Sequence, residues 1–164
     1  MSTLANRSVQ RVAAALDAAD AAGRVVELAT TARTAEDAAA ALGVPVGAIV
    51  KSLVFAVAGE PVLALVAGDR RCAAAALADA LDLEGEVERA SADLVRTATG
   101  FAIGGVPPVA HLRPLPTAID ASLGRFAVLW AAAGHPHCVF RTTLDELRHL
   151  TGGTLSDTLG VVDG

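Results

Sequence analysis

The stretch Ile49-Val50-Lys51-Ser52-Leu53-Val54-Phe55-Ala56-Val57 constrains the fold more than any other. Read with the two-residue period of a strand, it carries Ile49, Leu53, Phe55 and Val57 on one face and Val50, Val54 and Ala56 on the other. A strand apolar on both faces has to be covered on both sides. Gly59-Glu60-Pro61 then turns the chain back into Val62-Leu63-Ala64-Leu65-Val66, which predicts an antiparallel hairpin. Lys51 shares the face of Ile49 and Leu53, and it is the single lysine, the other twelve of the 13 basic residues being arginines. An ammonium among large apolar side chains must reach a cavity, find a partner or lose its proton. The other reading is an edge-strand lysine that reaches past the apolar surface to water and deters strand addition. Both readings are open at this level.

A chain of 164 residues suits one domain with a substantial core. It is 53% hydrophobic but only 3% aromatic, without tyrosine, so that core is built from Ala, Val and Leu. The net charge of −5 argues against broad binding along a nucleic-acid backbone, DNA included, but leaves room for one nucleic-acid end in a local pocket. Two cysteines make no disulfide framework, which points to a reducing cytosol. No apolar run has the length of a membrane span, and Asp17 and Asp20 interrupt the one N-terminal segment that could imitate a signal peptide. The expectation is a soluble cytoplasmic domain over 1–164.

In chain order, residues 8–22 read as a helix with Val9, Val12, Ala13 and Leu16 on one face and Gly23 as its stop. Arg24 to Leu28 is a short strand. Thr34 to Asp37 has the form of a capping box, and the helix it opens ends at Leu42-Gly43. Asp69 is placed to cap a helix over 70–81 that includes Cys72, and Ser91 opens another that ends near Gly100. Leu115 to Asp120, Phe126 to Trp130 and Cys138 to Phe140 read as strands. Thr143 caps a closing helix over 144–151, and Gly152-Gly153 is expected to release a mobile tail over 152–164. Interspersed helices and strands with a hairpin favour an α+β or mixed-sheet fold over a doubly wound parallel one.

The candidate chemistry centres on Gly104-Gly105-Val106-Pro107-Pro108. Adjacent glycines let the backbone approach a ligand and aim consecutive N–H groups at an anion, and the prolines stiffen the far side; an ordinary turn is the other reading. His135-Pro136-His137-Cys138 offers too few ligands at the wrong spacing for zinc. Cys72 reads as a small core residue. No G-x-S-x-G elbow and no nucleotide-binding glycine fingerprint occur. His111 lies near enough to the glycine-proline bend to share its cavity or to be a loop residue, and Asp120 either caps Ala121-Ser122-Leu123 or orients a catalytic group.

Taken in order, Ile49 to Val54, Thr99 to Pro108, Leu115 to Asp120, Trp130 to Gly134 and Leu144 to Leu147 resemble the YbaK/EbsC family. Its members are free-standing relatives of the editing domain of bacterial prolyl-tRNA synthetases. The resemblance covers about residues 24–152 and implies a mixed, barrel-like β-sheet surrounded by helices. It also implies hydrolysis of the ester of a mischarged tRNA, with water as nucleophile and no metal or cofactor. The implied partners are an aminoacyl-tRNA acceptor end and, as a candidate, prolyl-tRNA synthetase; the oligomeric state is left open. By resemblance, Lys51 is the active-site lysine, and Gly104 and Gly105 supply oxyanion donors. Ser52, Val106, Pro108, His111, Asp120, Gly134 and His135 are the expected substrate-binding residues. The family's cysteine-specific branch uses a tyrosine that this chain lacks, so alanine, serine, threonine or a non-protein analogue fits as cargo at least as well as cysteine.

Overall fold

The computed structural model describes residues 2–162. In chain order the elements are α1 (Arg7–Ala18), β1 (Val25–Glu27), α2 (Ala35–Leu42), β2 (Ile49–Val57) and β3 (Glu60–Ala67). They continue with β4 (Arg71–Cys72), α3 (Ala74–Leu81), β5 (Val87–Arg89), α4 (Ala92–Thr99) and β6 (Thr117–Asp120). The last five are β7 (Leu129–Ala132), β8 (Cys138–Thr142), α5 (Leu144–Thr151), β9 (Thr154–Ser156) and β10 (Gly160–Val161). Among the described residues no helix is long and apolar enough to cross a membrane.

Local chemistry explains most boundaries. The Thr34, Ser91 and Thr143 side chains accept the N–H groups of Asp37, Leu94 and Glu146, and so begin α2, α4 and α5. Gly43, Gly100 and Gly152 end the same helices in the left-handed conformation. The first helix departs from expectation. It stops at Ala18, because Asp20 takes the left-handed conformation and Ala21 N–H bonds back to Leu16 O at 2.9 Å. Gly23 serves packing instead, since a Cβ there would lie 1.9 Å from Arg141 O.

The strands form a mixed sheet in the order β1-β8-β7-β2-β3-β6-β9, with β5 also paired to β2. Among the described residues its two end strands do not pair, so the sheet stays open. The predicted hairpin is its centre, with β2 and β3 in register from Val50↔Ala67 to Val57↔Glu60. Both faces are covered. On one, α1, α4 and α5 pack Val9, Val12, Leu16, Val95 and Leu147 against Val50, Val54, Leu63 and Leu65. On the other, Leu77 of α3 and Leu159 meet Phe55, Val57, Val62 and Val66. The α+β, mixed-sheet expectation is met.

Three further expectations change, and one strand was not expected. Asp69 does not cap a helix over 70–81: Arg125 grips its carboxylate through two hydrogen bonds, at 2.9 and 2.7 Å, and α3 starts later without a side-chain cap. Cys72 consequently lies in β4 and not in a helix. β5, three residues in a charged segment, carries too little pattern to be predicted. The expected tail is tied down instead: β9 pairs with β6, β10 pairs with β4, and Leu159 is fully buried. Residues 163 and 164 of that segment lie outside the described residues.

Asp120 anchors this end of the molecule. Its buried carboxylate accepts Ala67 N–H at 3.0 Å and Ser122 N–H at 2.9 Å, joining β3 to the turn after β6. Charge-assisted bonds to buried donors are expensive to leave unmade, so Asp120→Ala should lower unfolding stability by roughly 2–4 kcal/mol. Urea denaturation checks this, and an unchanged midpoint would remove Asp120 from the structural account.

Candidate active site

One edge of β2 is fully occupied by β3, while the other is divided. β7 runs parallel to it at Ile49↔Trp130 and Val50↔Ala131, and β5 runs antiparallel from Phe55↔Arg89 to Val57↔Val87. Ile49 O accepts Gly68 N–H on the β3 side, and Val54 O accepts Ala90 N–H on the divided side. Main-chain groups therefore alternate, with even-numbered residues facing the divided edge. Ser52 is the even-numbered residue that falls between the two neighbours, opposite neither strand.

A cavity of about 440 Å³ opens at this gap. Lys51, Ser52 and Val54 line it from β2, Arg89 from β5, Trp130 and Ala131 from β7, and Arg33 to Glu36 from the start of α2. Ile103, Gly104, Gly105 and Val106 close it from the loop after α4, and His135 and Pro136 from the turn between β7 and β8. Lys51 is thus half-buried at a cavity, and its Nζ donates to Arg70 O at 2.5 Å. Among the described residues Lys51 Nζ has no second hydrogen-bond partner. The buried Ser52 hydroxyl has no hydrogen-bond partner among the described residues. Arg33, Lys51 and Arg89 against Glu36 make the lining basic in a chain whose net charge is −5.

In the glycine loop, Gly104 has φ +90 and open space where a Cβ would be, so its backbone conformation, not crowding, requires glycine. Gly105 N–H donates to Ala102 O at 3.1 Å, closing a turn. That commits one of the two donors expected for an anion. Among the described residues, the N–H groups of Gly104 and Val106 donate to none. His135 Nδ1 accepts the main-chain N–H of His137 at 3.1 Å, so the neutral ring carries its proton on Nε2. Its neighbour His137 bonds Thr31 Oγ1 at 2.6 Å. Cys138 Sγ sits 3.2 Å from Thr3 Oγ1. Among the described residues no three His, Cys, Asp or Glu side chains gather as a metal-binding group.

The structure therefore brings together Lys51, Ser52, Gly104, Gly105, Val106 and His135. Gly134 stands just behind them, with a virtual Cβ 3.0 Å from Ser8 O and 3.2 Å from the Phe101 ring. Three expected residues lie elsewhere. Asp120 is occupied in the core as described. Pro108 and His111 line a separate hollow of about 250 Å³ beside α1 and α5, because the chain turns away from the cavity after Val106. Arg33, Arg89 and Trp130 were not expected at the site. Trp130, the single tryptophan, was the one with a signal in the sequence; the arginines had none.

Two titrations bear on the chemistry. Burial raises the Cys72 thiol to about 11, against the pull of Arg89 and Lys51, so it is protonated at neutral pH. Burial lowers the pKa of His111 below 6.5, helped by Arg11 and opposed by the bond to Pro107 O, at 2.7 Å. The unfolded chain thus takes up this proton first on acidification. His111 contributes its full stability above pH 6.5 and loses it as pH falls towards the folded-state value. Chemical denaturation across that window should show a shallower pH dependence in His111→Gln than in the parent, and parallel curves would refute it.

Three comparisons place these features among known proteins. A sequence profile of the aminoacyl-tRNA editing domain matches residues 29–150, most of the chain. Proline–tRNA ligase of Solidesulfovibrio magneticus is 33% identical over 104 residues, covering 63% of this chain and 18% of that protein. The Desulfovibrio desulfuricans enzyme is 39% identical over 108 residues, covering 65% and 18%. The chain thus spans under a fifth of the length of these relatives. A crystal structure of a candidate trans-editing enzyme for prolyl tRNA synthetase superposes with a TM-score of 0.87 at 42% identity, over 97% of this chain and 99% of that one.

Proposed function

Because the chain belongs to the aminoacyl-tRNA editing domain family, we propose that it is a trans-acting deacylase hydrolysing the ester of a mischarged tRNA. The proposed cargo is a small wrong amino acid on tRNA(Pro). The observation that carries this reading is the gap in the sheet, where Lys51 and the Gly104 loop line one basic cavity. Lys51 holds the terminal adenosine of the acceptor end and offsets negative charge near the ester. Arg33, before α2, and Arg89, on β5, add positive charge to the lining, suited to the phosphates that follow.

Water is the proposed nucleophile. The cysteine at the cavity wall is Cys138, whose thiol burial pushes up, as burial does that of Cys72 outside the lining, and no serine elbow occurs in the sequence. Water adds to the ester carbonyl, and the tetrahedral intermediate collapses by breaking the bond to the ribose oxygen, which leaves with a proton as a hydroxyl. The carbonyl oxygen becomes an anion on the way. Gly104 N–H, joined by Val106 N–H, is the proposed donor pair, replacing the Gly105 N–H that the turn already uses. Val54, Val106 and Ala131 give the side-chain end small apolar walls. A synthetase pocket that cannot exclude a smaller side chain needs a second site of this kind.

Purified protein should deacylate one small mischarged species among alanyl-, seryl-, cysteinyl- and threonyl-tRNA(Pro) and spare prolyl-tRNA(Pro). Lys51→Ala should slow that reaction by roughly a hundredfold or more. Retained tRNA binding with no hydrolysis of any species would instead make this a binding module. Cys138→Ala should keep the parental rate, and loss of activity in that folded variant would overturn the water mechanism.

A further inference from the structure

The glycine loop is held in place by a residue of α1, outside the stretch that matches the family profile. Arg11 reaches from that helix to both ends of the loop. Its Nη2 donates to Ala110 O at 2.5 Å and to Thr99 O at 3.4 Å, and its Nη1 donates to Gly100 O at 3.4 Å. The guanidinium also lies 4.5 Å above the ring of Phe101, which is itself buried. One planar group thus ties the carbonyls at the end of α4 to a carbonyl ten residues on, with Gly104, Gly105 and Val106 between them.

Three details fit a clamp rather than an incidental contact. Thr99 and Gly100 carbonyls terminate α4, where partial negative charge favours a cation. Gly100 leaves room for the guanidinium, since a Cβ there would come 2.7 Å from Nη1. Ala110 sits at φ +68, a left-handed conformation costing an alanine about 1 kcal/mol or more, and its carbonyl takes the shortest of the three bonds. The same patch supports the other wall of the cavity, because Phe101 and Ser8 both abut Gly134.

We propose that Arg11 is a positioning residue: it fixes the 99–110 loop so that the Gly104 and Val106 N–H groups are preset at the cavity. The proposal rests on the deacylase reading for its effect on rate, but not for its effect on the loop. Lysine cannot replace Arg11, since a compact ammonium cannot span three carbonyls and stack on a ring.

Hydrogen exchange of Arg11→Met and Arg11→Lys is the test, with deacylation kinetics beside it. Exchange should accelerate for the bonded amides of the loop and its ends, Gly100, Phe101, Gly105 and Leu112, while the β2 and β3 amides stay protected, which also shows that the variants fold. For deacylation, kcat should fall by roughly ten- to a hundredfold with KM nearly unchanged. Millimolar guanidinium should restore part of the rate to Arg11→Ala. Unchanged loop exchange in folded variants would overturn the clamp whatever the kinetics. Faster loop exchange in a protein that deacylates nothing even as the parent would uphold the clamp and sink the deacylase reading. A higher KM with constant kcat would overturn the presetting of donors.

Discussion

The middle of β2 has two candidate neighbours on one edge and is claimed by neither. β7 arrives parallel and β5 antiparallel, and strands of opposite direction cannot merge into one ladder. The edge is left open for the length of Lys51 to Leu53, and an open main chain inside a protein has to be accounted for. Here the gap is not filled by side chains. It becomes the cavity, and every residue of consequence is placed by its relation to it.

That placement explains why a rigid scaffold is needed around a small opening. β3 holds the far edge of β2 along its full length, with Leu63, Ala64, Leu65 and Val66 almost wholly buried. Asp120 fastens β3 to the turn after β6, and Arg125 fastens Asp69 just beyond the end of β3. The carbonyl of Arg70 that receives Lys51 lies in this braced turn, so the ammonium is oriented by the backbone rather than by an acid. A carboxylate partner would bring an opposite charge to this side chain; a carbonyl orients it without one.

Local signals were legible in the sequence and three-dimensional assignments were less so. Thr34, Ser91, Thr143 and the glycines ending their helices act within a few residues, so their roles could be read directly. The β2–β3 hairpin carried its own turn and its own period. Asp69 was misread because its partner, Arg125, is distant in sequence and outcompetes a helix end. Cys72 followed it into the wrong element. Lys51 was legible as an anomaly among apolar residues, yet only the tertiary fold shows the divided edge beside it. The proposed oxyanion pair moves from Gly104 and Gly105 to Gly104 and Val106 for one reason: a single turn bond to Ala102, invisible in a motif, uses the Gly105 donor.

The basic residues of this chain have a consequence for how its site can be addressed. Twelve of the thirteen are arginines, so the side chain at the gap is the protein's sole ε-amine. Amine-directed acylating reagents, which leave guanidinium groups alone, have one side-chain target here, and it faces the cavity. An isotope, a fluorophore or a crosslinker can therefore be delivered to the site of the unaltered protein. A ligand seated in the cavity is then read as protection of a single atom.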